Sequence, residues 1–277
     1  MAAQTRYGLD TAMFSVHQMH PEAALRLGGS AALGGLAEDG RSLQSLITEH
    51  ATGLVIMSVE VDYRDELTFF SAPFLRTEAT VSLRDDGRLL LFQMRHVVGC
   101  VEAIAMRVTA RPIALSGGPA LDAVAAAVSP PVRALFAPEE VLPRAELPTR
   151  RLAAAVEEWT AGAEPMGGGS RSFFLGRGDC GLADQWLYAR LPSLVGAARE
   201  QLLLDGAAGL ADTARRPLVS FAAEYRRPMY FGDRGTVEVA AYRAGERTAV
   251  VHRVHGAAVP GGDAGDRPLC ALALEVF

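Results

Sequence analysis

Apolar and polar positions alternate in two stretches of the chain that share one plan. "SVEVDYRDELTFFSAPFLRTEATVSLRDDGR" (58–88) and "SFAAEYRRPMYFGDRGTVEVAAYRAGE" (220–246) each read as a strand, a tight bend, a second strand and a turn. Aligning Ser58 with Ser220 sets Asp62 on Glu224, Tyr63 on Tyr225, Arg64 on Arg226, Leu67 on Met229 and Phe69 on Phe231 at one constant offset. Past a short deletion in the bend, Val81 falls on Val239, Gly87 on Gly245 and Arg95 on Arg253. "DDGR" and "AGER" are hairpin turns with Gly where a positive φ is needed. "RLLLFQMRHVV" and "RTAVVHRVHG" follow as long strands, and "CVEAIAMRV" then answers "CALALEVF". Each copy ends in a meander of four antiparallel strands.

A helical stretch precedes each meander. "ADQWLYARLPSLVGAAREQLLLDG" places Trp186, Leu187, Leu191, Leu194, Val195, Ala198, Leu202 and Leu203 mostly at three-to-four spacing, with Pro192 able to kink or split it. Its counterpart, "PEAALRLGGSAALGGLAEDGRSLQSLI", is interrupted by Gly28, Gly29, Gly34 and Gly35, which predicts a broken or irregular helix. Short strands are expected ahead of both helices, at "TAMFSVHQ" and "SFFLGRGD". The Pro-, Ala- and Gly-rich stretch between the halves predicts one or two short helices crossing the outside of the sheet, ending in a mobile "GGG".

Composition narrows the class. The chain has 277 residues, 49% hydrophobic and 21% charged, enough for two globular domains. A net charge of −5 gives no surface for nucleic acid or an anionic membrane. Cys100, Cys180 and Cys270 are odd in number and far apart, so neither a disulfide framework nor a zinc cluster is expected. The first residues lack an apolar signal core and no apolar run is long enough to span a bilayer. A soluble cytoplasmic protein is expected.

Strand, long helix and four-strand meander is the element order of the hotdog fold. "AEYRRPMYFGDRGTVEVAAYR", an aromatic, a basic pair and Pro before a Gly-Asp turn, resembles the strand-pair signature of the 4-hydroxybenzoyl-CoA thioesterase-like family of hotdog proteins, in the acyl-ACP thioesterase superfamily. "FFLGRGDCGLADQWLYARLPSLVGAARE" resembles that family's approach to its central helix. The resemblance covers residues 172–277 and reaches 12–112 through the repeat. It implies an α+β double hotdog: an N-terminal hotdog over 1–115, a linker with short helices over 116–171 and a C-terminal hotdog over 172–277. Each would wrap a sheet around a long central helix, with the two sheets joined edge to edge. The covalent pair would replace the usual homodimer, so a monomer or a homodimer of double hotdogs is expected.

The resemblance also implies chemistry on acyl thioesters of CoA or acyl carrier protein, without a cofactor. A thioesterase in polyketide, fatty-acid-type or other natural-product biosynthesis is the first reading. The alternatives are a dehydratase, an acyltransferase/decarboxylase or a non-catalytic acyl-carrier-binding protein. "MHPEAALRLGGSAALGGLAE" resembles the Gly-rich first helix of double-hotdog proteins similar to the acyltransferase/decarboxylase of leinamycin biosynthesis.

In this fold reactive groups gather where the chain enters the central helix, whose free N–H groups can bind a thioester oxygen. Asp179 and Asp184 in "GDCGLADQW" are the carboxylates expected there, as base or as helix cap. The family's pattern has a carboxylate directly after "GDC", where this chain has Gly181. His17 and His20 in "SVHQMHPEA" occupy the equivalent place in the first half, as dehydratase-type base or as exposed loop residues. Tyr63 and Tyr225 are either fold-holding aromatics or, for one of them, an acid or nucleophile in the acyl pocket. Cys180, Gly181 and Tyr188 complete the expected substrate-binding set. His96, His252 and His255 lie on strands without metal-ligand spacing, so no metal is expected. No nucleophile elbow, Walker loop or Rossmann fingerprint is present.

Overall fold

The computed structural model describes residues 2–38, 40, 42–84, 87–115, 123–125, 130–133, 148–181, 184–257 and 267–277. The chain divides into two compact units, Met1–Leu147 and Pro148–Phe277.

Unit 1 opens with strand β1 (Ala2–Gly8), helix α1 (Pro21–Glu38) and the short helix α2 (Leu43–Thr48). Strands β2 (Thr52–Tyr63), β3 (Phe74–Arg84), β4 (Leu89–Val98) and β5 (Val101–Leu115) follow. Its antiparallel sheet runs in the order β1-β3-β4-β5-β2, with strand β6 (Ala123–Ala125) paired to β5 and a single turn of helix, α3 (Pro130–Arg133), after it. On β3 the inward Leu75, Thr77, Ala79, Val81 and Leu83 are buried, while the residues between them face out. The outward face carries cross-strand ion pairs: Arg95 with Glu78 at 2.5 Å and Glu102 at 3.6 Å, and Arg107 with Glu60 at 3.3 Å.

Unit 2 starts with helix α4 (Pro148–Thr160) and strand β7 (Glu164–Phe174). Helix α5 (Leu191–Leu204) and strands β8 (Ser220–Tyr225), β9 (Arg234–Ala244), β10 (Arg247–Gly256) and β11 (Leu269–Val276) complete it. The sheet order is β7-β9-β10-β11-β8, the same order as in unit 1, so Tyr63 and Tyr225 sit on equivalent strands. Here both faces of the central strands are covered. α5 lies on one, and on the other Leu152 and Val156 of α4 pack with Ala249, Val251, Leu272, Leu274 and Val276. Glu224, fully buried on the α4 side, accepts from the Leu152 backbone N–H at 2.9 Å, and burial pushes its carboxyl above the ordinary range. Among the described residues no helix is long and apolar enough to cross a membrane.

Three local expectations are corrected. The glycines do not break α1, which runs unbroken for 18 residues. A Cβ on Gly28 would lie 2.9 Å from Met106 Cε, and one on Gly35 would lie 2.3 Å from Ala3 Cβ. These glycines let the helix settle close to the sheet, and that packing outweighs their low helix propensity. The first strand lies at Ala2–Gly8 instead of "TAMFSVHQ", because the Asp10 side chain caps a 3₁₀ turn over Thr11–Met13. In unit 2 the strand begins at Glu164 and absorbs the "GGG" expected to be mobile. A Cβ on Gly168 would collide with the Val239 carbonyl and one on Gly169 with Leu202, so these glycines permit the close pairing with β9 and contact with α5. Residues 148–171, expected as linker, therefore fall within unit 2, while 116–122, 126–129 and 134–147 lie outside the described residues.

Candidate active site

Both units deliver the chain into the central helix through the same two anchors. In unit 1 the Met19 N–H donates to the Leu67 carbonyl at 3.0 Å, and the Tyr63 hydroxyl donates to the Met19 carbonyl at 2.7 Å. In unit 2 the Trp186 N–H donates to the Met229 carbonyl at 2.9 Å, and the Tyr225 hydroxyl donates to the Tyr188 carbonyl at 2.6 Å. The two tyrosines thus fasten the segment entering the helix to the strand bend. Burial, then Tyr188, pushes the Tyr225 phenol well above its ordinary value, so this hydroxyl stays a donor. Burial raises Tyr188 as well.

The unit 2 entrance is tightly cross-braced. Asp179 accepts from the Gly176 N–H at 3.0 Å and pairs with Arg190 at 3.2 Å. Asp184 pairs with Arg177 at 2.6 Å, and that guanidinium lies 4.2 Å from the Phe231 ring centroid. Asp184 adopts φ 54°, its carbonyl accepts from the Phe231 N–H at 2.8 Å, and α5 begins only at Leu191. Neither aspartate caps α5, whose first turn contains no acid. Trp186 stacks on Phe173 and meets Tyr225 edge-on, each at 6.4 Å. A Cβ on Gly181 would lie 2.7 Å from Leu187 Cδ2, so a carboxylate there would have to displace Leu187. Burial, then Asp179 and Asp184, raises the Cys180 thiol, which works against a thiolate nucleophile. Leu182 and Ala183 lie outside the described residues.

The unit 1 entrance is organised around Ser15. Its Oγ accepts from the His17 and Gln18 N–H groups at 3.2 and 3.1 Å and donates to the Gln18 carbonyl at 3.0 Å. His20 is exposed, and its N–H donates to the Met13 carbonyl at 2.8 Å; His17 is half-buried. Pro21 opens α1 with its φ preset and no N–H to lose. Two residues that sequence reasoning passed over stand here. Gln18 is 7% exposed, and its Nε2 is buried without a hydrogen-bond partner. Glu22, in the first turn of α1, keeps only 11% of its side chain exposed and lies 3.6 Å from Arg26. The only sequence signal for Glu22 was an acid just after Pro21, which reads as an ordinary helix start.

The expected site residues therefore fall into two sets. His17, His20 and Tyr63 belong to unit 1, and Asp179, Cys180, Gly181, Asp184, Tyr188 and Tyr225 to unit 2. Among the described residues no group of three or more His, Cys, Asp or Glu could hold a metal ion.

No protein family and no curated protein matches the chain. Solved structures do, from end to end. A protein assigned as an oleoyl thioesterase from Lactobacillus plantarum matches with a TM-score of 0.72 at 9% identity, covering 100% of this chain and 94% of that one. The fold is that of the double hotdog. The 12:0-ACP thioesterase from Umbellularia californica matches with a TM-score of 0.66 at 9% identity over 99% and 96% of the two chains. An acyl-ACP thioesterase from Bacteroides thetaiotaomicron matches with a TM-score of 0.60 at 11% identity over 100% and 97%. Both tandem hotdogs are therefore shared with thioesterases of similar length.

Proposed function

We propose that this double hotdog hydrolyses acyl thioesters carried on CoA or on an acyl carrier protein. The observation that carries the reading is the end-to-end match to three double-hotdog proteins described as thioesterases, two of them acting on acyl-ACP. Fold does not fix reaction, and the local groups support the reading. A helix entrance supplies backbone donors for the carbonyl oxygen, a carboxylate can draw a proton from water, and the reaction needs no redox group. The products are a carboxylic acid and a free thiol. Incubation of the protein with a panel of acyl-CoA and acylated carrier proteins, followed by thiol titration and mass spectrometry, tests this. Free acid and thiol are expected. An enoyl thioester would show a dehydratase, and loss of CO2 a decarboxylase. An unchanged panel would leave an acyl-binding protein.

A further inference from the structure

We propose that unit 1 carries the reaction centre, with Glu22 as the base and the Gln18 amide as a donor to the thioester carbonyl oxygen; this rests on the hydrolase reading above. Three observations lead there. Gln18 stands in the turn that feeds α1, three residues ahead of Pro21. Its backbone is bonded through Ser15, yet its side-chain Nε2 is buried with no partner. Buried amide donors are almost always paired, and one left open is a built-in demand for an acceptor. A carbonyl oxygen that gains negative charge during addition supplies it, and a donor already in place needs no reorganisation when that charge appears.

The second observation is Glu22. It is the acid in the first turn of α1 and is largely withdrawn from water, while its Arg26 partner is 68% exposed. The third is the state of the other entrance. In unit 2 the first turn of α5 has no acid, the aspartates of the approach keep 32% and 52% of their side chains exposed, and Leu187 packs where the family pattern has its carboxylate. The same tyrosine anchor thus presents a buried polar pair in unit 1 and partly exposed, arginine-paired carboxylates in unit 2.

The step balances. Glu22 takes a proton from water as the water oxygen bonds to the carbonyl carbon. The C=O electron pair moves onto the oxygen held by Gln18 Nε2–H. It returns as the C–S bond breaks, and the proton on Glu22 passes to the departing thiolate.

Steady-state hydrolysis by the full chain tests the assignment with Glu22→Gln, Gln18→Met and Asp184→Asn. Glu22→Gln should lower kcat by about a hundredfold, with KM within about threefold. Gln18→Met keeps the volume and removes the open donor, so kcat should fall by roughly tenfold to a hundredfold while the melting temperature holds or rises. A melting temperature that falls with the rate would make Gln18 a packing residue and remove it from the assignment. Wild-type rates in both unit 1 variants, with the loss in Asp184→Asn, overturn the assignment and leave the hydrolase reading standing. A wild type that cleaves no thioester overturns the hydrolase reading, and the assignment with it.

Discussion

Between α1 and its sheet stands His96, fully buried, its Nδ1 2.8 Å from the Thr77 hydroxyl and its Nε2 3.0 Å from the Ala24 carbonyl. A carbonyl only accepts, so Nε2 carries the proton and Nδ1 accepts from Thr77. Between α5 and its sheet stands a charged group instead. Glu275 Oε2 accepts from Arg199 at 2.6 Å and lies 2.8 Å from His252 Nε2, while His252 Nδ1 is left without a partner. Both units tie helix to strand through a buried histidine, one with neutral groups and one with ions. Burial holds His96 down to about 4. Burial opposes the Glu275 charge, but Arg199 and then His252 outweigh it and hold that carboxyl below the ordinary range. One architecture thus tolerates two polar solutions, and they differ in what breaks them.

The largest difference should come from removing the anion. Glu275→Ala removes the buried partner of Arg199, which keeps the exposed Glu200 at 3.4 Å, and should cost about 3 kcal/mol, read by urea denaturation followed through tryptophan fluorescence. Both tryptophans, Trp159 and Trp186, lie in unit 2, so this probe reports that unit alone. Replacing Arg199, His252 and Glu275 together by apolar residues of similar volume should restore most of the loss. A single variant as stable as the wild type would show that the ion group contributes nothing.

Acid should separate the units next. His96 binds its proton more weakly folded than unfolded, so stability falls as pH drops from the ordinary 6.5 toward about 4, by roughly 3 kcal/mol in all. The depressed Glu275 contributes stability above the ordinary 4.5, which is lost only as pH falls from there through its lower folded value. Far-UV circular dichroism, which sees both units, should therefore change before tryptophan fluorescence does. Coincident transitions would remove the distinction.

The smallest test is a pair of neighbouring glycines in α1. Gly35→Ala forces a methyl against Ala3 and should cost about 1–3 kcal/mol, whereas Gly34, with nothing within 4 Å, should gain up to about 1 kcal/mol as Ala. Shifts of melting temperature in opposite directions are expected. Matching shifts would mean that the close approach of helix and β1 is not tight.

The repeat was legible because β3 and β9 each bury one face, so their alternation survives in the sequence. The glycine pairs predict a break that does not occur, because propensity is local and the contact of Gly35 with Ala3 is not. Strand β1 sits at the sheet edge, and "AAQTRYG" has too few large apolar residues for its alternation to stand out in the sequence. At the site, Asp179 and Asp184 looked chemical because carboxylates at a helix approach often are. Their arginine partners lie outside any motif spacing. Gln18 and Glu22 gave the opposite error. Nothing in "SVHQMHPEA" says that a glutamine in a loop ends up buried with its amide unanswered.

The order of strands in unit 2 carries a cost during synthesis. β11, the last of its strands to be made, lies between β8 and β10. Until it leaves the ribosome, β8 lacks its β11 partner, and α4, made first, has no Leu272, Leu274 or Val276 to cover. Unit 1 completes its own five-strand path once Leu115 has emerged, long before. Domains generally fold in the order they are made, so the nascent chain carries a closed first hotdog while the second waits open, its amphipathic α4 and an unpaired strand edge exposed. The interval closes only when Leu269–Val276 have emerged to pair with β8 and β10.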